Sequence, residues 1–175
     1  MVIYWDTSCV LKLYTPEADS EDHVALAERD GGQFVSGEIL TTELFIAFRR
    51  KEDRGDIKPG SADILYRRFL ADVHKGRLAL LAVGQDVCGK AVEIARDCYN
   101  RERPVLLRSL DAIHLATACL GKCAGIVTSD RRMLEAAPIV GLSVVKPWTG
   151  SAPGDKRVLP AVKERHARYR VSRRR

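Results

Sequence analysis

Val2-Ile3-Tyr4-Trp5-Asp6-Thr7-Ser8 is the stretch on which the reading of this chain turns: a short run of branched and aromatic residues that stops at an acid and two hydroxyls. Four apolar residues are too few for a helix and suit a buried strand. A related pattern returns far down the chain in Gly125-Ile126-Val127-Thr128-Ser129-Asp130, where an apolar run again gives way to hydroxyls and an acid, followed by Arg131-Arg132. In an open parallel sheet the carboxyl ends of the strands form the crevice where ligands and catalytic groups collect. Asp6 and Asp130 occupy such ends. Each could instead be a helix N-cap, a common task for Asp, but two acids in one context make a shared site a serious reading.

Outward from these runs, further strands are expected at residues 33–36, 78–83 and 142–145, besides 2–5 and 125–128. Helical periodicity marks residues 20–29, 38–50, 61–74, 87–99 and 110–120. The clearest is 38–50, with Ile39, Leu40, Leu44, Ala47 and Phe48 at helical spacing. Pro59-Gly60 and Gly84 punctuate the boundaries. Strands alternating with helices predict an α/β fold with a parallel sheet.

At 175 residues the chain can build one core but is short for two. Its 46% hydrophobic and 30% charged residues are those of an ordinary globular protein. No apolar stretch reaches the roughly 20 residues of a membrane span, and MVIYWD lacks the features of a secretory signal, so no membrane partner and a cytoplasmic location are expected. The five cysteines, an odd number without a regular framework, fit reduced thiols.

The net charge of +6 is unevenly spread. Residues 151–175 hold 9 Lys or Arg against 2 acids, a net of +7, and the first 150 hold 20 against 21. The segment PWTGSAPGD from Pro147 reads as a linker, so the expected division is a domain over 1–147 and a linker with a basic tail over 148–175. A near-neutral body with a basic tail suggests contact with a polyanion such as nucleic acid.

Two more acids belong with Asp6 and Asp130. Glu43 lies at the edge of the apolar face of its helix, where a carboxylate is costly unless paired or metal-bound; Arg50 and Lys51 are the nearest ordinary partners. Asp111 falls in the first turn of a helix, just before Ile113, Leu115 and Ala116, where it could also favour the helix N-terminus. Four carboxylates in one place repel unless a counter-charge joins them. A divalent ion supplies that charge, and oxygen ligands suit magnesium or manganese. The leading reading is a metal-dependent hydrolase.

Taken in order, YWDTS, TTELFIAFRR, SLDAIHLATA and IVTSDRRMLEAAPIVGL resemble the motifs of a PIN domain, most closely those of the VapC-type toxins of bacterial toxin–antitoxin pairs. The resemblance spans roughly residues 1–147. It implies a three-layer α/β/α fold with a central parallel sheet and a magnesium- or manganese-dependent endoribonuclease acting on RNA. It further implies a cognate antitoxin partner and a homodimer. The family's acids match Asp6, Glu43, Asp111 and Asp130, and its small hydroxyl positions match Ser8 and Thr128. The basic tail is a departure from the family pattern.

Around this core of acids, Arg49 and Arg50 end one helix and Arg131 and Arg132 follow Asp130. They are candidate contacts for the RNA backbone, since Arg matches phosphate in a bidentate manner. His114 shares a helix face with Asp111 and is expected as a packed histidine more than as a member of the site. Other classes fit less well. A phosphorylation receiver would need an acidic pair after the first strand, a haloacid-dehalogenase-like phosphatase would need an Asp where Ser8 stands, and a phosphate-binding glycine loop is absent. The remaining alternative is a PIN-like module that binds RNA or protein without cleaving it.

Overall fold

Ile3, Tyr4 and Trp5 are all buried, yet they go to different places: Tyr4 enters one apolar cluster, Ile3 and Trp5 the other. Side chains alternate across a strand, so a strand buried on both faces requires an apolar layer on each side. The computed structural model describes residues 2–29 and 34–147 and has this arrangement. The expected linker and basic tail after Pro147 lie outside the described residues.

The sheet has five parallel strands, β1 (Ile3–Trp5), β2 (Phe34–Gly37), β3 (Leu78–Leu81), β4 (Gly125–Val127) and β5 (Ser143–Val144), in the order β3-β2-β1-β4-β5. Tyr4 stands opposite Val35 on one side and Ile126 on the other. One face is covered by α1 (Thr7–Leu11), α2 (Ser20–Arg29), α3 (Leu40–Asp53) and α4 (Ser61–His74). The other carries α5 (Gln85–Tyr99), α6 (Ser109–Leu120) and α7 (Arg131–Ala136), with a short 3-10 turn at Ala137–Val140. The fold is therefore the three-layer α/β/α architecture with a central parallel sheet.

Chain order moves outward from β1 to β2 and β3, then returns across β1 to β4 and β5. The reversal opens a crevice at the carboxyl ends of β1 and β4, the usual ligand position in such sheets. Asp6 belongs to that rim, and its backbone N–H donates to Val127 O at 2.9 Å.

Two expected helices, residues 20–29 and 61–74, have the anticipated bounds. The third begins at Leu40 because Glu38 turns away, its N–H donating to Leu81 O at 2.9 Å. This same bond closes β3 at Leu81, short of the expected residue 83, and Val83 N–H instead reaches Glu38 Oε2 at 3.4 Å. The short helices α1 and α7 carry too few residues to display a period, so neither was delimited from sequence.

Candidate active site

Asp6 stands at the N-cap of α1, but its side chain does not cap the helix. Its side chain accepts no backbone N–H from the first turn of α1. Its Oδ2 instead accepts from Ser8 Oγ at 2.6 Å and from Thr128 Oγ1 at 3.0 Å, and the residue is only 6% exposed. Thr128 is two residues before Asp130 and also accepts the Asp130 N–H at 3.1 Å. The two strand ends are thus tied together by hydroxyls.

Glu43 arrives from α3. Leu40, Leu44 and Phe48 anchor that helix in the core, and Glu43, Ala47 and Arg50 form the adjoining stripe, which lines the crevice. Neither nearby cation claims the carboxylate: Lys51 pairs with Glu17 at 2.9 Å. Glu43 Oε2 accepts from the Thr7 hydroxyl and contacts His114 Nε2 at 2.8 Å. Burial pushes its pKa up, but the bond and charge of His114, with the Thr7 bond, outweigh that and hold it below the ordinary carboxylate value.

His114 corrects the expectation of a merely packed histidine. It is 2% exposed, and its two ring nitrogens connect the core to the acids. Nδ1 bonds Tyr4 Oη at 2.6 Å, while Nε2 faces Glu43 at 2.8 Å and Asp6 Oδ1 at 3.7 Å. Burial alone would lower its pKa; Glu43, Asp6 and Asp111 together raise it instead. Tyr4 Oη in turn accepts the Gly37 N–H at 2.9 Å. Gly37 suits this approach, because a Cβ there would stand 2.9 Å from the tyrosine oxygen.

Asp111 and Asp130 share a partner that the sequence reading did not single out. Asp111 is 4% exposed at the start of α6 and accepts the Arg108 backbone N–H at 3.0 Å, so its expected helix-terminus role is realised. The Arg108 guanidinium folds back on the same carboxylate, with Nε and Nη2 each at 3.0 Å from its oxygens. Nη2 also reaches Asp130 Oδ2 at 2.6 Å. Asp130 Oδ1 accepts the Arg132 N–H at 2.8 Å, so Asp130 caps α7 while facing the crevice. The signal was the i, i+3 spacing from Arg108 to Asp111 across a helix start, which is common and therefore uninformative alone.

Asp6, Glu43, Asp111 and Asp130 all line one cavity of about 360 Å³, together with Ser8, Arg50, Arg108 and His114. Of the other arginines singled out, Arg49 pairs with Glu52 at 3.3 Å and Arg131 with Glu135 at 2.8 Å. Neither they nor Arg132 belong to the lining. Among the described residues no three acids, histidines or cysteines form a ready metal cage. The Arg108 fork and His114 hold the carboxylates in pairs instead. The donor set is nonetheless one of hard oxygens gathered on a single cavity, which is the chemistry a divalent ion such as magnesium or manganese takes.

A family model described as PIN domain matches residues 3–138. Ribonuclease VapC46 of Mycobacterium tuberculosis is 35% identical over 147 residues, covering 83% of this chain and 97% of that protein. Ribonuclease VapC35 of the same species is 30% identical over 154 residues, with the same coverage of 83% and 97%. A toxin–antitoxin complex from Klebsiella pneumoniae contains a chain that superposes with a TM-score of 0.58 at 18% identity, covering 85% of this chain and 98% of that one. That last likeness is one of fold.

Proposed function

Because the chain belongs to the PIN-domain family, among the VapC ribonucleases, we propose that it is a metal-dependent endoribonuclease and the toxin of a type II toxin–antitoxin pair. The observation that carries the reading is the convergence of Asp6, Glu43, Asp111 and Asp130 on one cavity at the switch point of the sheet. Relatives named as ribonucleases, and a structural neighbour described as a toxin–antitoxin complex, support the activity and an antitoxin partner. A homodimer follows from the same kinship.

In this reading the four carboxylates hold magnesium or manganese. The ion, when bound, supplies the positive charge that lets the acids share a site and that activates water and offsets charge on the scissile phosphate. The chain's own residues prepare for this. Ser8 and Thr128 both donate to Oδ2 of Asp6 and so fix its orientation, leaving Oδ1 toward His114. Outer hydrogen bonds of this kind set the direction of ligand carboxylates. His114, pinned by Tyr4, keeps Glu43 ionised. Arg50 at the cavity edge is placed to meet a backbone phosphate. An open cavity suits single-stranded or looped RNA better than a paired helix.

The test is cleavage of a labelled RNA by purified protein in Mg²⁺, Mn²⁺ and EDTA. Wild type should cut only with the ion, and Asp6→Asn should not cut while melting at or above the wild-type temperature, because removing one charge relieves repulsion. Cleavage by Asp6→Asn at the wild-type rate would overturn the assignment. Growth arrest on expression of wild type but not Asp6→Asn tests the toxin role separately.

A further inference from the structure

Arg108 is unusual in position. Its side chain is 61% exposed, yet its guanidinium makes three charge-assisted contacts to two carboxylates of the cavity, at 3.0, 3.0 and 2.6 Å. One of those partners, Asp111, is almost wholly buried. An exposed arginine has water available for all of its donors, so this posture is held by the acids and not by lack of room. The acids need it: with no cation near, Asp111 and Asp130 would face each other across the crevice uncompensated.

Resting on the nuclease reading above, we propose that Arg108 is a built-in counter-ion that competes with the divalent ion for Asp111 and Asp130. It keeps the two carboxylates together while the site is metal-free. When the ion takes the carboxylates, the fork is released at the mouth of the cavity it already lines, where the RNA phosphate is the next anion to receive it. Arginine suits both stations, since its planar fork fits carboxylate and phosphate alike. Nothing covalent changes; one anion is exchanged for another.

The experiment is a Mn²⁺ titration of the metal-stripped full chain by calorimetry or by the electron-spin signal of free Mn²⁺. Wild type is compared with Arg108→Gln, which removes the charge, and Arg108→Lys, which keeps the charge but loses the fork. Both variants should bind Mn²⁺ about tenfold tighter, the scale of one displaced charge-assisted bidentate contact. In EDTA the Arg108→Gln protein should melt below wild type, and Mn²⁺ should close the gap. With saturating Mn²⁺, Arg108→Gln should raise KM for a short RNA several-fold. Unchanged or weaker Mn²⁺ binding by Arg108→Gln sinks the competition. So does wild-type affinity in Arg108→Lys, which would mean only a distant field effect. An unchanged KM removes the phosphate role. If wild type itself binds no Mn²⁺, the metal site of the preceding reading fails, which is a separate result from wild type and Arg108→Gln binding it equally.

Discussion

Tyr4→Phe removes a single oxygen from the centre of the molecule and should affect both stability and activity. The ring sits wholly buried on β1, and its hydroxyl bonds the Gly37 backbone N–H at 2.9 Å and His114 Nδ1 at 2.6 Å. Burial drives its pKa above the ordinary tyrosine range, so the hydroxyl keeps its proton at any working pH. Phenylalanine would keep the packing but leave two buried polar groups without that partner. Each such group costs about 1–3 kcal/mol, offset in part because the variant no longer buries a hydroxyl. A net loss of about 2 kcal/mol is expected, which for a chain of this size lowers the melting temperature by roughly 4–8 °C. The second effect is catalytic. Without the Nδ1 bond the His114 ring is no longer pinned, and Glu43 loses its fixed partner at 2.8 Å. Urea unfolding in EDTA gives the first quantity, and cleavage of a labelled RNA in Mn²⁺ well below the unfolding range gives the second. Ile94→Val, buried in the same cluster but away from the acids, should cost about 0.5–1.5 kcal/mol and leave cleavage intact. A Tyr4→Phe loss under about 0.5 kcal/mol with full activity would refute the reasoning, because unsatisfied buried groups cannot be that cheap.

Gly37→Ala should reproduce part of this phenotype from the other side of the bond, since its Cβ would press on the tyrosine oxygen at 2.9 Å; a melting temperature equal to wild type would show that the hydroxyl gives way freely. Lys12, nearly buried, donates to Asp19 at 2.5 Å and to Ser129 Oγ at 3.1 Å. The Lys12 bond holds the Asp19 pKa below its ordinary 3.8, so the pair contributes stability above that pH and loses it as acid protonates the folded carboxyl. The melting-temperature gap between wild type and Asp19→Asn should accordingly be full above the ordinary aspartate pKa and close as the pH falls below it; a gap that widens in acid would contradict the assignment. Truncation after Pro147 removes the segment carrying the net +7 of residues 151–175, and RNA binding should lose salt dependence at roughly 0.7 log units per phosphate contact removed, as read by binding isotherms at several salt concentrations. An unchanged slope would deny the tail any share in the contact.

The strands and helices of this protein are legible in its residues because the evidence for them is local. Ile3, Tyr4 and Trp5 form a fully apolar run, and Leu40, Leu44 and Phe48 recur at helical spacing whatever else the chain does. The acids at strand ends were legible for the same reason, since where a run stops is itself a local fact, and the family motifs put Glu43 and Asp111 beside them. What tertiary structure alone decided is which groups meet. His114 reaches Tyr4 across 110 positions and Glu43 across 71, and no period in the sequence encodes either distance. Arg50 turns toward the cavity and Arg49 toward Glu52, although the two are neighbours in sequence. Successive residues on a helix point about 100° apart, so only the packing of α3 against the sheet selects one of them. Arg108 is the sharpest case. Its spacing to Asp111 is local, but its contact with Asp130, 22 positions on, exists only because the start of α6 and the end of β4 meet at one cavity.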